Sequence, residues 1–384
     1  MRIAQVSPLY ESVPPKLYGG TERVVHFLTE ALVDEGHDVT LFASGDSTTR
    51  SKLVACAPEA LRLDPRCVDP TAHHVRMLEE VFARASDFDV IHFHIDYVHF
   101  GLVRRHAVPH VTTMHGRMDI PDLAPLLGTF ADVPLVSISD SQREPLPDAE
   151  WRGTVYHGLP LELYSARPGA GGYLAFLGRV SPEKRVDRAI DIAMRLGMRL
   201  KIAAKVDKKD QEYFETQIKP KLTDPRIEFV GEIGEAQKND FLGDAAALLF
   251  PVDWPEPFGL VMIEAMACGT PVIAFRCGSV PEVMREGVSG YVVDTLDEAV
   301  AATARVVELP RAGVRSYFED RFLARRMAID YLDVYKELVA DARHRSGRER
   351  TAIGLAPIDT VHDADGDVTA TGGAVGSGTG MGTD

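Results

Sequence analysis

The sequence is short of several features that would set it apart from ordinary globular proteins. No apolar run approaches the roughly 18 residues that a membrane-spanning helix needs, so no transmembrane segment is predicted. The cysteines are Cys56, Cys67, Cys268 and Cys277. Their spacing forms neither a metal site nor a disulfide framework, and the first residues are typical of a strand rather than of a signal peptide. We therefore expect a cytoplasmic protein in a reducing compartment.

Positive charge is scarce as well. The chain carries 42 Lys and Arg residues against 57 Asp and Glu residues, a formal net charge of −15. Nucleic acids and anionic membranes attract positive surfaces, so binding to either is disfavoured and no nucleic-acid partner is predicted. The first strand and loop also lack the G-x-G-x-x-G fingerprint of dinucleotide folds, which disfavours NAD as a cofactor.

The 384 residues are enough for two domains with separate cores. Strand and helix patterns alternate from Arg2 and restart at Tyr173, after a Gly-, Pro- and Ala-rich linker at 165–172. This alternation predicts an α/β protein with two doubly wound, Rossmann-like domains facing across a cleft. The predicted domains are residues 1–165 and 166–322.

Two further segments follow the predicted domains. Residues 323–344 have the pattern of a helix. Residues 345–384 contain nine glycines and no aromatic residue, so they cannot bury enough apolar surface to fold. We expect this tail to be disordered.

The stretch Trp254–Ala274 carries the strongest functional signal. It follows an apolar strand, and two prolines lead into a helix predicted over 259–267 and then into a further strand. At the head of that helix, free backbone N–H groups of Phe258, Gly259 and Leu260 would face outward with the positive end of the helix dipole behind them. This arrangement predicts an anion-binding site, and glycine lets a ligand approach the backbone closely.

Two carboxylates flank the predicted anion site. Glu256 lies just before the helix head and Glu264 lies inside the helix. Carboxylates accept hydrogen bonds and suit hydroxyl groups, so one could hold a ribose and the other a hexose. The alternative is a loop charge and a solvated helix charge, although the apolar neighbours of Glu264 argue against solvation there.

A second pair of charges lies early in the predicted second domain. Arg179 and Lys184 flank a turn in which Pro182 suits the start of a helix. Two cations at a helix head near a strand end predict another anion site. The alternative is that they are ordinary basic surface residues.

Candidate residues of the first domain lie in loops after strands. Gly19 and Gly20 precede a helix, either as a ligand-approaching loop or as a plain flexible one. His115 follows a strand at the edge where open α/β sheets bind ligands. Strand alternation places His92, His94 and the following Asp96 on one face, which leaves open a metal site or histidines with ordinary hydrogen bonds.

The string from Glu256 to Glu264, with Pro-Phe-Gly-Leu inside it and Cys-Gly-Thr-Pro-Val after it, resembles the nucleotide-sugar motif of family 4 retaining glycosyltransferases. The resemblance covers roughly residues 2 to 342. It implies a GT-B fold whose last helix crosses back to the first domain. It also implies that Glu256 contacts the donor sugar and that Glu264 contacts the ribose.

The resemblance gives roles to the other candidates too. The amides of Phe258, Gly259 and Leu260, the cations Arg179 and Lys184, and the Gly19–Gly20 loop would contact the diphosphate, while His115 would touch the sugar. The sequence departs from the family where Arg185 and the stretch Ala204-Lys205-Val206 replace the usual glycines. These departures concern the turn after Lys184 and the contacts with the base.

The implied activity is transfer of a hexose from a UDP- or GDP-type sugar to an acceptor, with retention at the anomeric carbon. No D-x-D pair stands where a divalent metal would be held, so metal-independent transfer is expected, with no cofactor other than the nucleotide-sugar co-substrate. The acceptor is not readable from the sequence and could be a small molecule, a glycan or a lipid. Two rival functions are a nucleotide-sugar epimerase of GT-B architecture and a non-catalytic nucleotide-sugar binder.

Overall fold

The computed structural model describes residues 1–16, 19–169 and 171–352. The strands are β1 Arg2–Val6, β2 Asp38–Ser44, β3 Lys52–Ala57, β4 Val90–Phe93, β5 His110–Thr113, β6 Leu135–Ser137, β7 Trp151–Thr154, β8 Tyr173–Val180, β9 Arg199–Val206, β10 Ile227–Gly231, β11 Ala247–Phe250, β12 Val272–Phe275 and β13 Gly290–Val293. The helices are α1 Gly20–Asp34, α2 Pro70–Ala83, α3 Phe100–Val103, α4 Leu123–Thr129, α5 Asp140–Arg143, α6 Val186–Leu196, α7 Gln211–Tyr213, α8 Glu235–Gly243, α9 Leu260–Ala267, α10 Val280–Val283, α11 Leu296–Arg305, α12 Arg311–Arg321 and α13 Ala324–Ala352.

The strands form two parallel sheets within the compact unit Met1–Ala340. The first has the order β3-β2-β1-β4-β5-β6-β7 and the second has the order β10-β9-β8-β11-β12-β13. Every pairing between these strands is parallel. In each sheet the strand order reverses direction once, between β1 and β4 and between β8 and β11. Ligands of open α/β sheets bind at the carboxyl ends of strands beside such reversals.

The strands are apolar along most of their length because both faces of each sheet are covered. One buried cluster packs on the first sheet around Phe42 and Phe93, and another packs on the second sheet around Ile202 and Leu249. A third cluster contains residues of both sheets together with Phe258 and the tyrosines of α13. The inner faces of the two halves therefore share a core.

The unit β11–α9–β12 has the predicted strand–loop–helix–strand order. The helix begins at Leu260, because Gly259 adopts a left-handed conformation at φ 79° and caps it. A Cβ atom at Gly259 would lie 2.8 Å from the Met262 methyl group and 2.9 Å from the Phe250 ring, so a larger residue would have to displace these side chains and adopt a left-handed conformation. The Cys268–Gly269 turn then ends the helix, as a left-handed glycine commonly does.

The turn after β8 differs from the single helix that the sequence predicts from Pro182. Residues Pro182–Lys184 form a 3₁₀ turn, Arg185 adopts a left-handed conformation at φ 54°, and α6 begins only at Val186. A non-glycine residue in this conformation costs energy because its Cβ atom crowds the following carbonyl group. Ion pairs to Asp187 and Asp253 hold the Arg185 side chain in place.

Helix α13 returns to the first sheet. The Tyr335 hydroxyl lies 3.0 Å from Nε2 of Gln5 in β1, and the Tyr331 hydroxyl lies 2.8 Å from Oγ1 of Thr113 in β5. Arg326 donates to the carbonyl groups of Tyr156 and His157. These contacts fasten the helix across the ends of the central strands.

The chain remains helical beyond residue 344, where the sequence predicts the end of the last helix. Helix α13 extends to Ala352. The rest of the predicted disordered tail, residues 353–384, lies outside the described residues. The predicted boundary at 165/166 falls in the connection between β7 and β8, and its exact position stays a prediction.

Candidate functional site

A cavity of about 640 Å³ opens at the carboxyl ends of the central strands of both sheets. Its wall includes every residue that the sequence predicts for the site: Gly19, Gly20, His115, Arg179, Lys184, Glu256, Phe258, Gly259, Leu260 and Glu264. The two sheets contribute to it at the points where their strand order reverses. The structure therefore brings all ten predicted residues to one place.

The head of α9 points free backbone donors at this cavity. Among the described residues, the N–H groups of Phe258, Gly259 and Leu260 have no hydrogen-bond acceptor. The carbonyl group of Phe258 accepts from the Ser279 hydroxyl at 2.9 Å, which fixes the loop from behind. Three unsatisfied donors at a helix N-terminus are suited to bind an anion.

The loop before α1 reaches the head of α9 from the other sheet. A Cβ atom added at Gly20, the first residue of α1, would lie 3.7 Å from Cδ1 of Leu260, so this segment packs against the Leu260 side chain without a clash. Leu17 and Tyr18, just before this loop, lie outside the described residues. The cavity is thus bounded by glycine-containing segments from both halves of the protein.

The two cations of the β8 turn are both paired with carboxylates. Arg179 contacts Glu183 at 2.6 Å, and Lys184 contacts Glu256, with its ammonium group 4.8 Å from the Trp254 ring centre. The Trp254 indole N–H also donates to Glu256 at 2.8 Å. The sequence predicts that these cations face a ligand. Glu183 lies in the same turn as the cations, whereas Glu256 lies in the loop before α9, and no local pattern reveals it as the partner of Lys184.

The loop that carries Glu256 rests on a glycine that sequence reasoning did not single out for this role. Gly278 has φ 54°, and a Cβ atom there would lie 2.4 Å from the backbone nitrogen of Glu256. The next residue, Ser279, donates its N–H to the Glu256 carbonyl group at 3.0 Å. The signal in the sequence was the Cys-Gly-Ser turn after β12, which gives no hint of what packs on it.

Glu264 lies in a buried ionic cluster. Arg23 of α1 contacts it at 3.0 Å, Lys238 of α8 contacts it at 2.7 Å, and Arg23 also contacts Glu235 at 3.0 Å. The Glu264 side chain is 1% exposed. Its other oxygen, Oε2, is buried and has no hydrogen-bond partner among the described residues. An unsatisfied buried acceptor beside a cavity suits a ligand hydroxyl group.

The charges around Glu264 keep it ionised. Burial alone would raise its pKa, but Lys238 and Arg23 outweigh burial and hold the pKa of Glu264 below its ordinary value. Sequence reasoning missed both cations. Arg23 directly follows the Gly-Gly-Thr-Glu string, and Lys238 stands on α8 three residues before Phe241, so neither has a local pattern that indicates a buried pair.

His115 belongs to a group of histidines at the ends of β4, β5 and β7. Its Nε2 atom lies 2.9 Å from Nδ1 of His94, and its ring stacks 5.4 Å from the ring of His157. His157 in turn packs against Phe258 at 4.8 Å between ring centres. Burial lowers the pKa of His115 to about 3, so the ring is neutral at physiological pH.

The predicted shared face of β4 extends only as far as the two histidines. The rings of His92 and His94 lie 4.0 Å apart, whereas Asp96 adopts φ 52° and leaves the strand direction. His92 bonds to the hydroxyl groups of Tyr335 and Thr113 at 2.7 Å each. No group of three or more His, Cys, Asp or Glu side chains among the described residues is placed to hold a metal ion. The histidines here make ordinary buried hydrogen bonds.

Solved structures with the same architecture define the class of protein. AviGT4, a glycosyltransferase involved in avilamycin A biosynthesis, is 27% identical, with a TM-score of 0.69 over 89% of this chain and 98% of that one. HepE of Anabaena, solved in complex with UDP and glucose, is 16% identical, with a TM-score of 0.70 over 88% of this chain and 100% of that one. Two parallel α/β halves with a cleft at their strand ends are the GT-B fold.

Family models identify the chain more closely. Residues 18–175 match the model described as Glycosyltransferase Family 4, and residues 165–318 match the model described as Glycosyl transferases group 1. Together the two matches cover residues 18–318, and the chain belongs to the family 4, group 1 glycosyltransferases. The match with the motif that starts at Glu256 falls within the second region.

A curated relative is the D-inositol 3-phosphate glycosyltransferase of Salinispora arenicola. It is 34% identical over 203 residues, which cover 45% of this chain and 43% of the relative. The chain thus matches less than half of the length of the first curated relatives of this kind. Among the described residues, no helix is both long enough and apolar enough to cross a membrane.

Proposed function

We propose that this protein is a retaining glycosyltransferase that moves a hexose from a UDP- or GDP-type sugar to an acceptor. The head of α9 carries the proposal, because the free amides of Phe258, Gly259 and Leu260 face a cavity whose wall also holds Arg179 and Lys184. A diphosphate is the anion that matches three donors and two cations. The family membership and the UDP complex of HepE favour the same class of donor.

In the proposed complex, binding of the diphosphate rearranges one ion pair. Lys184 and Glu256 pair with each other in the structure. A diphosphate would take Lys184 as a partner, and Glu256 would then accept hydrogen bonds from the hydroxyl groups of the sugar. Glu264, through its unsatisfied Oε2 atom, would accept from the ribose. In this proposal, Glu256 binds the transferred sugar and Glu264 binds the ribose, at opposite ends of the diphosphate.

The catalytic effect comes from charge that develops on the departing diphosphate. In the proposed complex, Arg179, Lys184 and the α9 amides would contact the diphosphate before transfer begins, and groups placed in advance need little reorganisation in the transition state. No side chain in the cavity is proposed as a nucleophile. By analogy with the family, the leaving phosphate deprotonates the acceptor on the same face of the sugar.

The proposed reaction needs no divalent metal, because the two cations neutralise the diphosphate. Activity should therefore survive incubation with EDTA. Complete loss that manganese or magnesium restores would refute this part of the proposal.

The activity itself is tested by mass spectrometry. Purified protein is incubated with UDP- and GDP-hexoses, each with a panel of acceptors that includes D-inositol 3-phosphate, simple glycans and glycolipids. A product heavier than an acceptor by one hexose, formed with retained anomeric configuration by NMR, supports the proposal. Incubation with donor alone separates an epimerase, which would interconvert the sugar without an acceptor. Saturable donor binding with no product from any acceptor would favour a non-catalytic binder.

A further inference from the structure

A continuous chain of buried hydrogen bonds leads from His115 into the core beneath the cavity. The chain runs through side chains of β1, β4, β5 and α13. In order, its links are His115 Nε2 to His94 Nδ1 at 2.9 Å, His94 Nε2 to Gln5 Oε1 at 2.8 Å, Gln5 Nε2 to Tyr335 at 3.0 Å, Tyr335 to His92 Nδ1 at 2.7 Å, and His92 Nε2 to Thr113 at 2.7 Å. We name these six side chains the relay. Gln5, His92 and Tyr335 have no solvent exposure, and His94 is 2% exposed.

The direction of donation along the relay is fixed by Gln5. An amide oxygen can only accept a hydrogen bond, so Nε2 of His94 must carry its proton. Burial lowers the pKa of His94 well below its usual range, so the ring is neutral and carries a single N–H. Nδ1 of His94 is then an acceptor, and Nε2 of His115 must donate to it.

Gln5 is itself oriented from the other side. Its amide nitrogen donates to the Tyr335 hydroxyl, which is then able to donate to Nδ1 of His92, and Nε2 of His92 donates to Thr113. Turning the amide over would require every proton in the relay to change place, because each link donates in the same sense. Coupled hydrogen bonds of this kind strengthen one another in a buried, low-dielectric setting.

The outcome at the cavity is a histidine with one defined free atom. A neutral His115 that donates through Nε2 has no proton on Nδ1. Nδ1 is therefore the only ring nitrogen left for a ligand, and it can accept but not donate a hydrogen bond. His115 lines the cavity in which the proposed function places the donor sugar.

We propose that Gln5 is a positioning residue, held by Tyr335, that keeps the His115 proton on Nε2 and presents Nδ1 as an acceptor to a hydroxyl group of the bound sugar. The inference rests on the proposed function for its ligand, but the proton placement holds with no ligand present. Tyr335 belongs to α13 and Gln5 to β1, so the last helix of the fold sets the hydrogen-bonding character of a residue in the cavity.

The test reads the proton directly. Protein labelled with ¹⁵N in histidine is studied by long-range ¹H–¹⁵N correlation, which distinguishes the Nε2–H from the Nδ1–H tautomer, and His115→Asn and His94→Gln variants assign the signals. In the unmodified protein, His94 and His115 should both be Nε2–H tautomers. An Nδ1–H tautomer at His115 would overturn the proposal at once.

Two variants interrupt the relay at different links. Gln5→Met keeps the shape of the side chain but removes the acceptor for His94, and Tyr335→Phe removes the hydroxyl group that orients Gln5. In each, we expect the His115 signal to become a mixture of both tautomers. The matched control is Thr112→Val on the opposite face of β5, since Thr112 bonds to His99 outside the relay and its loss should leave the His115 tautomer unchanged.

Kinetics and binding separate positioning from general damage. With a working donor and acceptor, Gln5→Met should lower kcat about tenfold, as expected for one hydrogen bond, while the Kd for UDP or GDP stays within about twofold. An Nε2–H tautomer that persists in both variants would overturn the proposal. Should Gln5→Met not fold, Tyr335→Phe gives the same decision. A protein that transfers no sugar would count against the proposed function, whereas the tautomer spectrum decides the relay by itself.

Discussion

Lys184 and Arg179 are the residues on which the proposed diphosphate site depends most. Each belongs to the wall of the cavity and each has a carboxylate partner, Glu256 or Glu183, that it would share with a ligand. Charge-assisted contacts of this kind contribute about 1.5–3 kcal/mol. Removal of either side chain should lower turnover more than it lowers the free energy of unfolding, because both side chains are partly exposed.

We predict that Arg179→Ala and Lys184→Ala each lower kcat/KM on the order of 100-fold, since each loses a contact with the leaving diphosphate. The matched control is Arg188→Ala, a cation of neighbouring α6 that pairs with Asp253 outside the cavity wall. Steady-state kinetics with the donor gives the comparison. Full activity in both single variants would show that the diphosphate binds elsewhere.

We predict that substitution of Glu264 and substitution of Glu256 affect different steps, namely nucleotide binding and sugar transfer. Glu264→Gln should weaken binding of free nucleotide diphosphate and of the donor alike, tenfold or more, because both contain ribose. Glu256→Gln should reduce transfer but leave free nucleotide diphosphate binding nearly unchanged, because only the donor carries the sugar. Calorimetric titration beside steady-state kinetics measures both effects. Equal losses of nucleotide diphosphate binding would mean that the two ends are wrongly assigned.

Stability offers a second measure of Glu264. Its substitution by Gln leaves Arg23 and Lys238 without their central carboxylate, and breaking a buried ion pair costs about 3 kcal/mol. The carboxylate is held below its ordinary pKa, so its contribution is complete above the unfolded pKa and is lost as pH falls through the folded pKa. Glu264→Gln should therefore flatten the acid limb of the stability curve.

At the scale of the element, the β8–α6 turn shows how a fold tolerates an unfavourable residue. Arg185 takes the left-handed position, and its guanidinium group bonds to Asp187 and Asp253. We predict that Arg185→Gly is more stable than Arg185→Ala by about 1 kcal/mol, since both lose the ion pairs but only glycine is free of the left-handed cost.

The control for this prediction lies in the middle of α6. At Asp191, which has ordinary helical surroundings and pairs with Lys221, the order should be reversed, with glycine less stable than alanine by about 1 kcal/mol. Urea denaturation of the four variants gives the comparison. If alanine is more stable than glycine at both positions, the strain at Arg185 is negligible.

Local elements of the site were predictable from the sequence because their signals are local. The prolines before Phe258, the apolar helix and Gly269 lie within a few residues of one another, and they predict the β11–α9–β12 unit and its free amides. The contact between Arg23 and Glu264 joins residues 241 positions apart. No periodicity or spacing in the sequence predicts a contact between residues so far apart. The sequence therefore does not reveal the buried ionic cluster or the relay.

The whole molecule concentrates neutral histidines in its first half. Among the described residues, burial strongly lowers the pKa values of five histidines around the first sheet: His92, His94, His99, His115 and His157. An unfolded histidine has a pKa of about 6.5, so below that pH the unfolded chain binds protons that the folded chain does not. Stability must then rise with pH across this range.

We predict that the free energy of unfolding falls as pH is lowered from about 7.5 to 5.5, because each buried histidine contributes a slope of up to about 1.4 kcal/mol per pH unit below its unfolded pKa. Urea denaturation at several pH values measures the slope. His99→Gln, whose partner Thr112 lies outside the relay, should reduce the slope by one histidine's share. A stability that does not change across this range would show that the buried rings take up protons in the folded state.

The hydrogen bond between Gln5 and Tyr335 joins residues 330 positions apart, so it can form only late in the synthesis of the chain. At the usual translation rates of about 5–20 residues per second, roughly half a minute separates the two residues as they leave the ribosome. A growing chain can already have formed β1, β4 and β5 while the amide of Gln5 still lacks its hydroxyl partner. In the proposed relay, the nascent chain therefore contains His115 before its tautomer is fixed. Only a chain that has been extended past Tyr335 can complete the relay.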